Sequence, residues 1–161
     1  MEQNNFDLKT VKVHRTTEGT IFEIAFVVIA IVVWGLIIWM IHQAPDVVAT
    51  HFDASGKPNA YGPPAGIAIP CVIITLVAIG LMTTAYFPRL INMPTKLTNI
   101  RQVKLAIRGV RIAAIILLIM CLATTYTLLG MESPNATPIM AMVVLLIIET
   151  IIFSIVISKT K

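Results

Sequence analysis

The chain has 161 residues, of which 57% are hydrophobic and only 12% are charged, with a net charge of +4 and a mean hydropathy of +0.88. Soluble domains carry about 25% charged residues, so this composition excludes an ordinary soluble protein. It is typical of an integral membrane protein, and the distribution of the positive charge indicates membrane topology rather than nucleic-acid binding.

Four apolar runs, each of about twenty residues, predict four membrane-spanning helices. A helix of this length covers a hydrocarbon core of ~30 Å at ~1.5 Å per residue. We expect the helices at about 21–42, 66–87, 109–130 and 138–158, with a short connection at 131–137. The predicted fold class is all-α: a polytopic integral membrane protein with a four-helix transmembrane bundle, forming a single domain over residues 1–161.

The lysines and arginines are distributed unevenly along the chain. All except Lys57 lie in the N-terminal segment, in or beside the connection between the second and third helices, or at the C-terminal end. An excess of these residues marks the cytoplasmic side of a membrane protein. We therefore expect both termini and a basic loop over 88–108 in the cytoplasm, and a structured external loop over 43–65. Glu23, near the cytoplasmic end of the first helix, is expected to cap that helix.

The external loop is the segment whose residues look least like membrane scaffold. Over 45–70 it contains five of the nine prolines. The sequence from Ser55 to Pro58 predicts a tight turn around Gly56, because glycine tolerates positive φ and serine bonds to local backbone. His51 and Asp53 would share one face of an extended strand. We expect these two side chains to organise the loop and Tyr61 to pack back onto the helix ends.

His51 and Asp53 are also the candidate metal ligands of this loop. Two donors are fewer than the three or four that a metal site usually requires, and nothing in the sequence fixes His42 or Asp46 beside them. A histidine and an aspartate can also form a general base with its orienting partner, but no nucleophile accompanies this pair. We therefore assign no catalytic residue, no metal and no cofactor from the sequence.

The connection before the third helix carries a stripe of basic residues. Arg101, Lys104, Arg108 and Arg111 recur three or four residues apart, on one face of a helix that Thr95 would cap. A basic amphipathic helix entering a membrane span indicates anchorage to anionic lipid headgroups. The alternative is a plain topology signal on a solvated face.

Glu149 lies near the middle of the fourth helix, where a carboxylate is costly and is a functional hypothesis by default. Counting depth along the helices places Trp34, Thr75 and Cys121 at its level, and none of them is a base. We expect a protonated side chain that hydrogen-bonds between helices, with a proton or ligand role as the alternative. Cys71 and Cys121 are expected to be small buried residues.

Residues 48–62, VATHFDASGKPNAYG, resemble the loop motif of a bacterial membrane domain of unknown function that also occurs in SdpI-like immunity proteins of the sporulation-delaying-protein type. The matching positions are Thr50, His51, Phe52, Asp53, Gly56, Tyr61 and Gly62, followed later by Ile91, Asn92, Pro94 and Lys96. Asn59 stands where the family has an acidic residue, and Pro63-Pro64 replace its lysine. The resemblance covers about residues 25–110.

The resemblance implies a multi-pass protein of the bacterial cytoplasmic (inner) membrane that protects its producer from a secreted toxic peptide. The leading function is immunity or recognition, in which the 45–70 loop binds an external peptide or envelope component. The competing function is a small membrane enzyme or proton-linked carrier that uses His51, Asp53 and Glu149. Anionic lipid and an external peptide are the expected partners, nucleic acid is not, and the sequence leaves the oligomeric state open.

Overall fold

The computed structural model describes residues 6, 8, 10–53, 55, 57–94, 96–129 and 137–160. The predicted Gly56 turn, the Thr95 cap and most of the connection 131–137 lie outside these residues. The elements are α1 (Thr17–Gln43), β1 (Val48–Phe52), β2 (Pro58–Gly62), α2 (Ala68–Thr84), α3 (Ile100–Leu129) and α4 (Thr137–Lys159). Within these described ranges, four helices are long and apolar enough to cross a membrane. The predicted fold class is confirmed, with a small β-hairpin inside the predicted loop.

The start and end of α1 follow from its flanking residues. The helix begins directly after Thr16, whose Oγ1 accepts the backbone N–H of Gly19 at 3.1 Å. Such a cap satisfies one of the N–H groups that have no partner inside the helix. The helix ends two residues before Pro45, which disfavours helical backbone at the residue before it. Because the cap is at Thr16, α1 begins before residue 21, the predicted start of the helix.

The start of α3 lies before the predicted span 109–130, within the amphipathic helix that the basic stripe predicted. Asn99 Oδ1 accepts the N–H of Gln102 at 2.9 Å, and the side-chain oxygen of Gln102 accepts the N–H of Thr98 at 2.6 Å. This reciprocal capping starts the helix nine residues before the predicted 109–130. Part of the predicted basic loop 88–108 is therefore helical, and α3 is one continuous rod of about 45 Å.

The bundle is organised around α3, which contacts each of the other three helices. Its contact with α2 is held by two facing cysteines, each buried as predicted. Cys71 Sγ donates to the carbonyl of Cys121 at 3.6 Å, and Cys121 Sγ donates to the carbonyl of Cys71 at 3.5 Å. Small side chains let two helix backbones approach closely, and this packing stabilises helix pairs in lipid.

Apolar side chains cover the outer surface of the bundle. Among the residues of α4, only Ile157 is buried, and α1 likewise presents large aliphatic side chains to its surroundings. Such a surface is unfavourable in water but suits a hydrocarbon solvent. The exposed apolar faces therefore agree with four spans in a membrane.

The two ends of the bundle differ in what they carry. We call the end formed by the start of α1, the start of α3 and the end of α4 the basic end, and the opposite end, which carries β1 and β2, the hairpin end. At the basic end, Gln102 Nε2 donates to the carbonyls of Ile157 and Thr160, both at 3.0 Å. These bonds fix α4 against the first turns of α3.

Candidate functional site

The hairpin is seated on the helix ends through its first strand. Val48 and Ala49 are both buried, and Val48 belongs to one apolar cluster with Ile37, Ile67 and Leu129. These partners come from α1, from the 3-10 turn that precedes α2, and from the end of α3. The hairpin is therefore held by three elements and is not a free loop.

The two strands pair antiparallel with two irregularities. The Cα partners are Val48 with Gly62, Ala49 with Tyr61, His51 with Ala60, and Phe52 with Pro58. The register skips Thr50 on β1 and Asn59 on β2. Bulges of this kind change the direction in which side chains point. His51 Nδ1 and Asn59 Oδ1 lie 2.5 Å apart, and this hydrogen bond joins the strands.

Asp53 organises the turn that follows β1. Its Oδ1 accepts the N–H and the hydroxyl of Ser55 at 2.8 and 2.6 Å, and the N–H of Lys57 at 3.0 Å. Its own N–H donates to the carbonyl of Lys57 at 2.9 Å. The hydrogen bonds described for Asp53 and for His51 therefore go to different partners, although both side chains hold the hairpin in shape.

The outward surface of the hairpin is polar and aromatic. His51 and Asn59 are exposed, and Tyr61 is 64% exposed. The expectation that Tyr61 packs back onto the helix ends is wrong, because most of its surface is exposed, whereas Val48 and Ala49 are the buried residues of the hairpin. These outward side chains are available for contact with another molecule.

Glu149 is not at the predicted level. Trp34 Nε1 donates to Thr75 Oγ1 at 3.2 Å, and Thr75 Oγ1 lies 3.8 Å from Cys121 Sγ, so these three residues do meet. Glu149 instead faces Gly109, where a Cβ would lie 3.6 Å from its Oε1. The bonds from Gln102 hold the end of α4 at the basic end. Glu149 therefore lies level with Gly109 and not with Cys121.

The structure does not bring Glu149 together with His51 and Asp53. Gly109, which Glu149 faces, is separated by about 30 Å of helix from Leu129, which packs with Val48 of the hairpin. Among the described residues, no group of three or more His, Cys, Asp or Glu side chains lies close enough to hold a metal ion. A single site that uses all three candidate residues is therefore not formed.

A cavity of about 330 Å³ opens at the basic end. It lies between residues 11–16, the start of α1 and the first turns of α3. Its lining residues are Val11, Lys12, Val13, His14, Thr16, Glu18, Ile100, Val103, Lys104, Ile107, Arg108 and Arg111. The lining combines aliphatic side chains with four formal positive charges and one carboxylate. Its surface is therefore apolar in part and strongly basic.

Arg111 is the buried cation of this cavity, with 5% of its surface exposed. Its guanidinium lies against Gly19, where a Cβ would be only 2.8 Å from Nη2. The guanidinium carbon is 6.0 Å from the centre of the Phe22 ring and 5.9 Å from that of Tyr86, within the range of cation–π attraction. Among the described residues, Nε of Arg111 has no hydrogen-bond partner.

Two carboxylates of α1 are held by other groups beside the cavity. Glu18 accepts two hydrogen bonds from Arg108, at 2.5 Å from Nε and 2.8 Å from Nη2. Glu23 accepts from Arg15 Nη2 at 2.9 Å and from the hydroxyl of Tyr86. These bonds engage both acids, and in the described part of the chain neither acid accepts a hydrogen bond from Arg111.

Tyr86 lies just outside the membrane-spanning part of α2. The hydrogen bond to Glu23 raises the pKa of Tyr86 above its ordinary value of 10.0, and burial acts in the same direction. Glu23 therefore ties α1 to the end of α2. The expected capping role of Glu23 is wrong, because Thr16 is the N-cap of α1.

The predicted basic stripe is divided by the structure. Lys104, Arg108 and Arg111 line the cavity, whereas Arg101 is exposed and lies outside it. Lys12, from the segment that precedes α1, lines the cavity as well. Contact of these residues with anionic lipid stays a prediction.

Sequence reasoning also missed the polar ladder between α2 and α3, although its signal is present. Cys71 and Thr75 on α2, and Cys121 and Thr125 on α3, repeat a Cys-x-x-x-Thr spacing. Each threonine hydroxyl donates to the carbonyl of the cysteine four residues earlier, at 2.8 and 3.0 Å. Matching small polar residues one turn apart on two apolar segments are typical of helices that pack closely in lipid.

The fold and these two sites define a multi-pass, membrane-type protein with an ordered hairpin between its first two spans. Residues 28–75 match a family described as Domain of unknown function (DUF1648). The matched segment runs from within α1, through the hairpin, into α2. Comparison with curated proteins and with solved structures gave no match.

Proposed function

We propose that this is an integral membrane protein of immunity or recognition type, which binds an external peptide or envelope component through the hairpin and its flanks at 45–70. One observation carries the proposal. The hairpin is anchored on the helix ends by Val48 and Ala49, while His51, Asn59 and Tyr61 face away from the bundle. The resemblance of this segment to SdpI-like immunity proteins supports the same function.

A preformed hairpin is suited to binding because it is already ordered. A flexible loop must lose conformational entropy when a ligand binds, and this loss weakens affinity. Here the bonds of Asp53 close the turn, and the bond between His51 and Asn59 fixes the strands. The ligand therefore meets side chains that are close to their bound positions.

The shape of the hairpin favours an extended ligand. In the described part of the chain the sheet has two strands, so each has one edge without a ladder partner. An unpaired edge can accept an extended peptide as an additional strand. Exposed side chains such as Tyr61 would then give specificity, because tyrosine is a frequent anchor in interfaces.

The proposed location is the bacterial cytoplasmic membrane, with the hairpin end outside and the basic end in the cytoplasm. The uneven distribution of Lys and Arg supports this orientation. Arg108 and Arg15 both lie at the basic end, whereas Lys57 is in the hairpin turn.

A peptide selection tests the binding function. The full chain in lipid nanodiscs is used to select binders from a random peptide library, with empty nanodiscs for counter-selection. We expect peptides whose affinity falls at least about tenfold with Tyr61→Ala, the effect of removing an interface anchor. Tyr126→Ala is the matched control, because Tyr126 is equally exposed, at 63%, but lies on a membrane-spanning helix. Peptides that bind both variants equally, or no enrichment at all, would contradict the proposal.

A further inference from the structure

The geometry points to a phosphate-binding site in the cavity at the basic end, taking the phosphate group of a lipid headgroup or of a soluble phosphate compound. The site is independent of the hairpin function, because it lies at the opposite end of the bundle. Its walls are residues 11–16, the start of α1 and the first turns of α3. Four observations support it: charge, an unpaired buried donor, size and apolar lining.

The first observation is an excess of positive charge within the cavity. Lys12, Lys104, Arg108 and Arg111 line it, against the single carboxylate of Glu18. Glu18 is engaged by both bonds from Arg108. In the described structure Lys12, Lys104 and Arg111 donate no hydrogen bond, so an anion entering the cavity would meet donors that have no acceptor. Clustered cations in a concave site attract anions strongly.

The second observation is the unpaired Nε of the buried Arg111. A buried donor without an acceptor is unfavourable, and native structures usually satisfy such groups. Because Glu18 and Glu23 are held by other side chains, a bound phosphate oxygen is a suitable acceptor. The planar guanidinium of arginine matches phosphate geometry with two parallel donors.

The size and the lining of the cavity suit a phosphate attached to an organic group. About 330 Å³ is within the range of small-ligand pockets and exceeds what a bare ion needs. Val11, Val103 and Ile107 supply aliphatic surface beside the cations. This combination suits the glycerol region of a phospholipid, because the cavity lies where the spans begin.

Lipid binding to the full chain in detergent, measured by native mass spectrometry, tests the site. The probes are phosphatidylglycerol, diacylglycerol without a phosphate, and inorganic phosphate. The variant Lys12→Gln/Lys104→Gln removes two exposed rim charges and leaves the buried Arg111 in place. The control Lys96→Gln/Arg101→Gln removes the same charge from exposed positions outside the cavity.

We expect phosphatidylglycerol to bind and diacylglycerol not to bind. Each rim lysine should contribute about fivefold to affinity, so the rim variant should weaken binding by about 25-fold. The control variant should change binding by less than about twofold if its charges do not touch the ligand. Competition by millimolar inorganic phosphate would support the site and assign a soluble ligand. Absence of competition, with lipid binding retained, would support it and assign a lipid.

Two results would overturn the site. Equal weakening by the rim and control variants would mean that general surface charge attracts the lipid. If diacylglycerol binds as tightly as phosphatidylglycerol and inorganic phosphate does not compete with either lipid, no phosphate group is recognised. Gly19→Ala gives an independent check, because the added methyl group displaces the guanidinium of Arg111 and should reduce binding in protein that remains folded.

Discussion

The guanidinium of Arg111 occupies the space that a side chain at Gly19 would need, because a Cβ there would lie 2.8 Å from Nη2. α3 therefore brings a buried cation against the backbone of α1, with the centres of the Phe22 and Tyr86 rings 6.0 and 5.9 Å from the guanidinium carbon. The same contact joins α1, α3 and the end of α2 at the basic end. Its integrity can be tested with a single methyl group.

Gly19→Ala should destabilise the protein by about 1 kcal/mol, because the guanidinium, the movable end of a long side chain, has to give up its contacts with the Phe22 and Tyr86 rings. Gly35→Ala is the matched control, since Gly35 is in the same helix and a Cβ there meets no atom within 4 Å. That control should be neutral or more stable by up to about 1 kcal/mol, because alanine favours helix. Unfolding by SDS in mixed micelles measures both. Equal stability of the two variants would contradict the Arg111 contact.

Tyr86 should ionise later than an ordinary tyrosine, because ionisation breaks its bond to Glu23 and places two negative charges together. A group whose pKa is raised by folding stabilises the fold below its unfolded pKa, here about 10, and loses that contribution as pH rises through the folded value. Absorbance titration of tyrosinate measures this. Tyr86→Phe should remove the latest-titrating component, and Glu23→Gln should shift it toward 10. If Tyr86→Phe instead removes a component that titrates early, the hydrogen bond between Tyr86 and Glu23 is contradicted.

Glu149 should be dispensable for folding. Its Oε1 is buried at Gly109 and, among the described residues, has no hydrogen-bond partner. Glu149→Leu should therefore be neutral or more stable, by up to about 1–3 kcal/mol, because a buried unpaired polar atom is removed. Glu149→Gln, which keeps an oxygen there, should lie close to the natural protein. Destabilisation by the leucine variant alone would show that the carboxyl group makes a bond between helices.

The membrane spans could be predicted from the sequence because twenty apolar residues have few alternatives to a helix in lipid. The spacing of Arg101, Lys104 and Arg108 predicted a helix at the start of α3, but its first residue could not be predicted, since these turns fall below the hydropathy of a span. Those turns depend on side-chain bonds of Asn99 and Gln102, which a hydropathy profile does not register.

The candidate sites were predictable only in part. An ordered loop with an extended segment at His51 followed from proline, glycine and aspartate chemistry. The exposure of Tyr61 did not, because it depends on the skipped positions in the strand register and on which strand seats the hairpin. The basic cavity needs residues 11–16 folded beside α3, a tertiary contact between segments about 90 residues apart.

Topology can be tested with an impermeant thiol reagent on intact cells. Asn59→Cys, at an exposed hairpin position, should react, whereas Lys96→Cys, at an exposed position before α3, should not react until the cells are opened. Cys71 and Cys121 are buried and provide a low background. Reaction of the Lys96 variant in intact cells, without reaction of the Asn59 variant, would reverse the proposed orientation.

Amide hydrogen exchange over residues 48–62, measured with the full chain in nanodiscs and without ligand, tests most directly whether the hairpin is a preformed recognition element. Ladder amides should exchange far more slowly than those of an unfolded peptide of the same sequence. Asp53→Ala should remove more protection than His51→Ala, because Asp53 Oδ1 accepts three bonds whereas one bond is described for the ring of His51. The two effects should be nearly additive, since the partners differ. Exchange in the natural protein as fast as in the unfolded peptide would contradict the account, because the segment would then be disordered before any ligand binds.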